Sequence, residues 1–198
     1  MKISAIILAA GKSERIGTPK PLLKIGPSTF LNTIVENLKK AGLRDVIVVL
    51  GYKAEEIQSH LSKGVRSVVN ERYKKGQLSS LKVGLSVLSP DTDAFLMLLV
   101  DHPLVSEDTY RAIVDLLGKG APIVLPTYNG KRGHPVGFST TYVKELMDAP
   151  EDIGARFVIK NNINSIVELP VNDKNVVFNI NTKEDYERYI HGVQPWAL

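Results

Sequence analysis

Short apolar runs alternate with amphipathic segments along the whole chain. Five of these runs are candidate strands, at residues 3–9, 46–50, 65–69, 95–100 and 123–125. The first, second and fourth lack polar alternation, which is typical of central strands buried on both faces of a parallel sheet. Between the runs, helical spacing of apolar residues is found at 30–38, 79–88 and 106–117. This alternation predicts an α/β fold with a doubly wound, mostly parallel sheet and helices on both faces.

The alternation of apolar runs and amphipathic segments is interrupted after Pro126. Residues 127–135 are polar and rich in turn formers, which predicts a loop or a hairpin turn before a strand at 136–138. A last strand at 176–179 then leads into a helix that begins after Thr182, with Asp185 placed for a capping box. Because no repeat, low-complexity segment or linker interrupts the chain, we expect a single domain over residues 1–198.

The amino-acid composition excludes several classes of protein. The 25 Lys and Arg against 21 Asp and Glu give a net charge of +4, which suits small anionic ligands but not nucleic-acid binding. The chain has no cysteine, which excludes disulfides, thiol catalysis and cysteine-ligated metals and suits a cytoplasmic location. The first apolar run is interrupted at Gly11, far short of the roughly 18 residues that a membrane span needs. We therefore expect a cytoplasmic protein that binds neither nucleic acid nor membranes.

The loop after the first strand has unusual chemistry for its position. Ligands bind at the carboxyl ends of the strands in an open parallel sheet. Small residues at 9–11 allow backbone N–H groups to approach an anion, while Arg15 and Lys20 supply two cations that we expect to face solvent. The residues predict a triphosphate site, with a turn bearing solvated charges as the alternative. The glycine that a P-loop places before Gly11-Lys12-Ser13 is missing, and no Gly-x-Gly-x-x-Gly follows the strand.

Asp101 follows the fourth apolar run. A carboxylate has no structural purpose in a core at this place, but it can reach a hard cation that bridges phosphate oxygens, and Mg²⁺ fits that role. The alternative is that Asp101 caps the turn ahead of Pro103. The cationic loop expected opposite Asp101 favours the metal interpretation.

Residues 8–23 read Leu-Ala-Ala-Gly-Lys-Ser-Glu-Arg-Ile-Gly-Thr-Pro-Lys-Pro-Leu-Leu. This stretch resembles the signature of the MobA-like nucleotidyltransferase superfamily, Leu-Ala-(Ala/Gly)-Gly-x-(Ser/Gly)-x-Arg-Met-Gly-x-x-Lys-x-Leu-Leu, with Ile16 in place of Met. Ala10 makes the chain more similar to the cytidylyltransferase branch, represented by molybdenum cofactor cytidylyltransferase, than to the guanylyltransferase branch.

Further segments extend the resemblance over essentially the whole chain. Residues 70–81 resemble the segment that borders the nucleotide base, 100–103 the Asp-x-Pro metal motif, 132–136 the Gly-His-Pro loop, and 152–156 the Gly-Asp-x-Gly-Ala-Arg segment, with Glu151 for its first Gly. The resemblance implies a nucleotide-diphospho-sugar transferase-like fold and Mg²⁺-dependent transfer of a nucleoside monophosphate to a phosphate acceptor, with release of pyrophosphate. CTP is the favoured donor and molybdopterin the suggested acceptor. Contact with a molybdoenzyme or its chaperone is also implied.

The chemistry of the residues and the resemblance together assign residues to four roles. The catalytic residues are Arg15, Lys20 and Asp101. The nucleotide-binding residues are Leu8, Ala9, Ala10, Gly11, Lys12, Ser13, Arg15, Lys20, Asn70, Gly76, Ser79 and Ser80. The metal ligands are Asp101, Asn179 and Asn181, and the acceptor-binding residues are Arg132, His134, Asp152 and Arg156.

The final segment departs from the family pattern. Residues 179–186 read Asn-Ile-Asn-Thr-Lys-Glu-Asp-Tyr, where cytidylyltransferases of this kind usually have Asp-Ile-Asp-Thr-Pro-Glu-Asp-Tyr. Asparagine carbonyls still coordinate Mg²⁺, but each change removes a negative charge and should weaken metal binding by the protein alone. We therefore expect the metal to bind mainly together with the nucleotide.

Several alternatives remain open at this point. The chain could be a guanylyltransferase for the same cofactor, a cytidylyltransferase for a sugar or polyol phosphate, or an enzyme for phospholactate-type acceptors. The replacement of the two usual aspartates by Asn179 and Asn181 raises a further alternative, a nucleotide-binding regulatory protein without turnover. On the acceptor side, Arg156 could simply pair with Asp152 on a surface helix, and His134 could form a structural hydrogen bond to nearby backbone.

Overall fold

The structure, a computed structural model, describes residues 1–190, so the last eight residues of the predicted domain lie outside the described part. Its strands are β1 (Ile3–Leu8), β2 (Lys24–Ile25), β3 (Ser28–Thr29), β4 (Asp45–Leu50), β5 (Arg66–Val69), β6 (Ala94–Leu99), β7 (Ile123–Tyr128), β8 (Lys131–Arg132), β9 (Val136–Ser139) and β10 (Ile166–Pro170). Its helices are α1 (Phe30–Lys40), α2 (Ala54–Gln58), α3 (Gln77–Ser86), α4 (Glu107–Gly118), α5 (Val143–Asp148), α6 (Arg156–Asn161) and α7 (Lys183–Ile190). None of the helices within residues 1–190 has the length and apolar character that a membrane crossing needs.

A mostly parallel sheet forms the centre of the described residues. Its order is β10-β7-β9-β6-β1-β4-β5, with β8 paired to the outer part of β7. Strand β1 lies between β4 and β6 and runs parallel to both, whereas β9 runs antiparallel to β6 and β7. The predicted doubly wound, mostly parallel α/β fold is confirmed. The carboxyl ends of β1, β4 and β6 therefore meet at one edge, which brings the loops after them together.

Hydrophobic cores cover both faces of the sheet, because successive strand residues point to opposite sides. Ile7 and Val48 belong to the core that α1 and α4 cover, while Ile6 and Val49 belong to the core on the opposite face, which α3 and α5 cover. All four side chains are fully buried. Burial on both faces explains why the central strands show no polar alternation in the sequence.

Helix ends follow the predicted capping signals. Ser106 Oγ accepts a hydrogen bond of 3.2 Å from the Thr109 amide and begins α4. At the start of α7, the Asp185 amide donates to Thr182 Oγ1 (3.1 Å) and the Thr182 amide donates to Asp185 Oδ2 (2.9 Å), which is the expected capping box. Helix α1 ends just before Gly42, whose φ of +90° suits glycine.

The predicted strand at 176–179 is wrong. Lys174–Val176 form a turn of 3-10 helix, and residues 178–181 continue without regular structure. Their backbone groups bond to neighbouring loops: the His134 amide donates to the Val176 carbonyl (2.8 Å), and the Ile180 amide donates to the Asp101 carbonyl (2.9 Å). Val176 and Ile180 are fully buried, so the apolar pattern correctly indicates burial, but the buried segment is an anchored loop and not a strand.

The remaining strand of the sheet is β10, which the pattern did not predict. It lies at the edge of the sheet, and its residues are exposed or only half-buried, so it has no continuous apolar run.

Strand β7 continues past the predicted end at 125. Pro126 is tolerated there because β7 pairs with β9 only through Ile123 and Val124. The turn into β8 is the hairpin expected within 127–135.

Candidate active site

A cleft of about 610 Å³ opens at the carboxyl edge of the sheet. It is lined by the ends of β1 and β6, by the loop after β1 and by the segment that leads into α3. Most of the predicted nucleotide-binding residues line it, namely Leu8, Ala10, Gly11, Lys12, Ser13, Arg15, Lys20, Gly76 and Ser80. The cleft also contains two of the three predicted metal ligands, Asp101 and Asn181.

The start of the loop after β1 is held against the end of β4. The Ala9 amide donates to the Val49 carbonyl (2.9 Å), and the Ala10 carbonyl accepts from the Tyr52 amide (3.0 Å). Gly51 makes this approach possible, because a Cβ at that position would lie 2.8 Å from the Ala10 carbonyl oxygen. Ala9 itself is buried beneath the cleft and does not line it, so it can contribute only by supporting the loop backbone.

Lys20 connects the loop to the opposite side of the cleft. Its backbone amide donates to Ser13 Oγ (3.0 Å), and its ammonium donates to Asp101 Oδ2 (3.3 Å) and to Asn181 Oδ1 (2.5 Å). The Lys20 side chain is only 12% exposed, which contradicts the expectation that it faces solvent. Two oxygen ligands from distant parts of the chain therefore converge on one positive charge.

The pair Asp101 and Asn181 has the chemistry of a site for a hard divalent cation. One carboxylate and one amide carbonyl are the ligand types that Mg²⁺ prefers, and both already face an ammonium group. No group of three His, Asp or Glu side chains within residues 1–190 could hold a metal by itself. Asn179, the third predicted ligand, is exposed and does not line the cleft.

Buried hydrogen bonds of Asn70 hold the wall of the cleft at the start of α3. Its side-chain amide donates to Ser79 Oγ (2.9 Å) and Ser80 Oγ (3.0 Å), and its carbonyl accepts from the Arg72 amide (2.9 Å). Ser79 in turn donates to the Gly76 carbonyl (2.7 Å). Asn70 and Ser79 are buried and outside the cleft lining, whereas Ser80 reaches it.

The cations at the cleft are not equivalent. Arg15 is exposed and forms no hydrogen bond or ion pair with any part of the chain that the structure describes. Lys12 is also exposed, but its Nζ lies 3.5 Å from Glu14 Oε1. Arg15 is thus available to an incoming anion, whereas Lys12 and Lys20 already face acidic side chains.

Two imidazoles pack together beside Asp101. The ring centroids of His102 and His134 are 5.1 Å apart, and His102 Nδ1 donates to the Asn175 carbonyl (3.2 Å). Among residues 1–190, the buried His134 Nδ1 has no hydrogen-bond partner, contrary to the structural bond considered from sequence. Burial, assisted by His102 and Arg156, lowers the pKa of His134 to about 4 although Asp101 opposes the shift. Burial also lowers the pKa of His102 from its usual value.

The other predicted acceptor residues lie on exposed surfaces. Arg132 extends from β8 and forms a salt bridge with Glu168 on β10, with Nε and Nη2 each 2.7 Å from Oε1. Asp152 and Arg156 are exposed, and no ion pair joins them within residues 1–190. Arg156 is nevertheless close enough to His134 to affect its pKa.

Sequence reasoning did not assign several residues that the structure brings to the site. Glu14, Tyr73, Gln77, Leu99 and Val100 line the cleft, and His102 packs beside it. All of them except Leu99, which directly precedes the segment 100–103, stand within segments that carry the family resemblance. Adjacency to the motif residues was the available signal for these positions, but side-chain direction could not be deduced from it.

A family model for the MobA-like NTP transferase domain matches residues 5–166. This chain is a MobA-like NTP transferase. The matched residues include the Lys20 loop, the Asp101 turn and the lining of the cleft except Asn181, and the membership makes the protein a nucleotidyltransferase.

This MobA-like NTP transferase has relatives of similar length. It is 28% identical over 193 residues to molybdenum cofactor cytidylyltransferase from Escherichia coli (strain K12), with 94% of this chain and 97% of the relative covered. It is 27% identical over 195 residues to a probable molybdenum cofactor guanylyltransferase from Bacillus cereus (strain ATCC 10987 / NRS 248), at coverages of 93% and 94%. The crystal structure of Rv0371C from Mycobacterium tuberculosis H37Rv in complex with manganese is similar, with a TM-score of 0.82, 29% identity, and coverage of 98% of this chain and 100% of that one.

Proposed function

We propose that this MobA-like NTP transferase transfers a cytidylyl group from CTP to a phosphate of a molybdopterin-type acceptor, with Mg²⁺ and release of pyrophosphate. The convergence of Lys20, Asp101 and Asn181 beside the exposed Arg15 carries the proposal. Residues 1–198 would act as one domain, and the product would pass to a molybdoenzyme or its chaperone.

The reaction needs positioning more than covalent chemistry. An oxygen of the acceptor phosphate attacks the α-phosphorus of CTP, a new P–O bond forms, and the bond to the bridging oxygen breaks with loss of pyrophosphate. Negative charge accumulates on the phosphate oxygens during this displacement, so fixed cations lower its barrier. Arg15 and Lys20 supply this charge from the loop after β1.

Asp101 and Asn181 would hold the metal ion together with the triphosphate. Two protein ligands leave most of the coordination sphere to phosphate oxygens and water, as is usual for Mg²⁺ in phosphoryl transfer. When bound, the ion would neutralise charge on the phosphates and orient them. The manganese complex of a similar protein supports a divalent ion, and Asn179 would lie farther from it.

The base would lie between the backbone of residues 9–11 and the segment 76–80. Small residues in the first segment leave main-chain groups accessible, and Asn70 and Ser79 keep the second in place from below. Similarity to a cytidylyltransferase over nearly the whole chain supports CTP. The guanylyltransferase relative is almost as similar and makes GTP the second candidate.

The acceptor would enter from the side of the histidine pair. In the described part of the chain, His134 Nδ1 has no hydrogen-bond partner, and Arg156 is an exposed cation near this ring, so both could contact an anionic group. Arg132 and Asp152 remain acceptor candidates, but Glu168 already neutralises Arg132.

The test is pyrophosphate release with each of the four ribonucleoside triphosphates against molybdopterin, its molybdenum form and several sugar phosphates. Turnover with CTP and molybdopterin is the expected result. Preference for GTP would replace the cytidylyl assignment by the guanylyl one, and turnover only with a sugar phosphate would replace the acceptor. Nucleotide binding without any pyrophosphate release would identify a regulatory protein.

A further inference from the structure

Asp173 is a buried carboxylate outside the cleft that none of the proposed steps uses. Its Oδ2 accepts hydrogen bonds from the Ser106 amide (2.8 Å) and from Thr109 Oγ1 (2.9 Å), and its Oδ1 accepts from the Asn175 amide (3.0 Å). The residue is 9% exposed. Burial of a carboxylate is unfavourable unless such bonds compensate for its lost hydration, so this arrangement calls for a structural explanation.

Capping of α4 does not by itself explain Asp173. Ser106 already caps this helix from within through its bond to the Thr109 amide, and Glu107 and Asp108 already place negative charge in the first turn. The carboxylate of Asp173 comes instead from a distant segment. Its effect is to attach residues 173–175 to the start of α4.

The attached segment contacts the acceptor side of the site. The Asn175 carbonyl accepts from His102 Nδ1, and the Val176 carbonyl accepts from the His134 amide. Contact with the histidine loop is tight, because a Cβ on Gly133 would overlap the Val176 carbonyl. A small displacement of the segment would therefore move both imidazoles.

The same segment continues directly into the metal side of the site. The Ile180 amide donates to the Asp101 carbonyl (2.9 Å), and the next side chain, Asn181, accepts from the Lys20 ammonium. Because residues 178–181 have no regular structure, their position depends on these contacts and on where the segment begins. Asp173 defines that beginning.

We infer that Asp173 is a positioning residue, which sets the places of Asn181 and of the His102 and His134 rings by fixing residues 173–181 on the start of α4. The inference rests on the proposed function insofar as these groups serve the transfer. Buried Val176 and Ile180 also anchor the segment, but apolar contacts are less directional than three hydrogen bonds to one carboxylate.

The test compares Asp173→Asn with Asp45→Asn. An amide at 173 has one acceptor oxygen, so it loses either the two bonds to α4 or the bond to Asn175, whichever way it turns. Asp45 is a suitable control because it also accepts side-chain bonds, from Ser4 Oγ (2.6 Å) and from Arg66, but stands at the amino end of β4, away from the cleft. Both variants remove one carboxylate and keep its shape.

Two readouts distinguish positioning from a general loss of stability. Hydrogen exchange of the His134 and Ile180 amides should become at least about tenfold faster in Asp173→Asn, while the amides of β1 and β4 stay protected. The Mg²⁺ or Mn²⁺ concentration that gives half-maximal pyrophosphate release should rise roughly 10- to 100-fold. Asp45→Asn should leave both readouts at wild-type values.

Exchange at His134 and Ile180 that matches the wild type, or a metal dependence that matches Asp45→Asn, would overturn the inference. Thr109→Val removes one of the three bonds without changing the carboxylate, so it provides the same comparison if Asp173→Asn does not fold. Failure of the proposed function is a separate result: the wild type would release no pyrophosphate, and the exchange measurement alone would then decide the role of Asp173.

Discussion

The ammonium of Lys20 donates a 2.5 Å hydrogen bond to the side-chain carbonyl of Asn181, although 161 positions separate the two residues. The same ammonium lies 3.3 Å from Asp101. Lys20 therefore occupies the place toward which both proposed metal ligands point. In the protein without nucleotide, a divalent ion has to compete with this ammonium for its oxygen ligands.

Replacement of Lys20 should separate metal binding from turnover. We expect Lys20→Met to lower turnover at least about 100-fold, because a fixed cation is lost from the charged transition state. The same variant should bind Mn²⁺ more tightly than the wild type without nucleotide, as measured by electron paramagnetic resonance. Lys24→Met, at an exposed position nearby, is the control and should change neither value. Mn²⁺ affinity that falls in Lys20→Met would contradict competition for the same oxygens.

A carboxylate at Asn181 should strengthen the metal site. Asn181→Asp adds a negative charge among the groups that line the cleft, whereas Asn179→Asp adds the same charge at an exposed position outside it. We expect tighter Mn²⁺ binding from the first change and a smaller effect from the second. Titration calorimetry without nucleotide measures both. Equal effects would place the two residues equally close to the metal.

Gly51 should be intolerant of any side chain. A Cβ there would lie 2.8 Å from both the Ala10 carbonyl oxygen and Tyr73 Cβ, and neither atom can move without its backbone. Gly51→Ala should therefore destabilise the fold by roughly 1–3 kcal/mol and raise KM for the nucleotide. A Cβ at Gly118 would meet no atom of the described residues within 4 Å, so Gly118→Ala is the matched control. Urea denaturation and nucleotide kinetics check the two effects, and wild-type behaviour of Gly51→Ala would refute the close approach.

Stability should depend on pH through His134. Burial lowers the pKa of this residue to about 4, whereas histidine in an unfolded chain titrates near 6.5. Between those values the unfolded chain binds a proton that the folded chain does not, so the contribution is complete above about pH 6.5 and is lost as the pH falls toward 4. The loss amounts to roughly 3 kcal/mol at most.

Urea midpoints measured from pH 7 to pH 4 check this dependence. His134→Gln should flatten the fall in stability over this range, while His60→Gln, at an exposed histidine, should keep the wild-type slope. The slope is the decisive quantity, since the substitution itself changes the stability at every pH. An unchanged slope in His134→Gln would show that this histidine titrates normally.

The two arginines of the acceptor region should behave differently. Arg156→Ala should raise KM for the acceptor with KM for CTP nearly unchanged, because its guanidinium lies near His134 and is exposed. Arg132→Ala should affect acceptor kinetics less, since the Arg132 guanidinium is already engaged by Glu168. Steady-state kinetics with both substrates measures the difference. Unchanged acceptor kinetics in Arg156→Ala would remove this residue from the acceptor site.

The alternating pattern predicted the central part of the fold because it depends on local burial. Strands such as β1 and β4 are apolar except at Ser4 and Asp45, because both of their faces are covered, and caps such as Ser106 act within one turn of chain. The loop after β1 was predictable for a similar reason: small residues and cations stand close together in the sequence, at the end of a predicted strand. Edge strand β10 was not predicted, because Glu168 interrupts its short apolar run and its residues are exposed or half-buried.

By itself the sequence determined the type of fold, the loop that carries Arg15 and Lys20, and the chemical character of Asp101 and Asn181. Only the tertiary structure decided that Lys20 turns inward to both oxygen ligands, that Asn181 rather than Asn179 reaches the cleft, and that 176–179 is an anchored loop. The physical reason is the distance along the chain between the residues that interact. Helix periodicity and caps are set by residues a few positions apart, whereas the direction of a side chain in an irregular segment is set by partners such as Asp101 and His134, which the fold supplies from far along the chain.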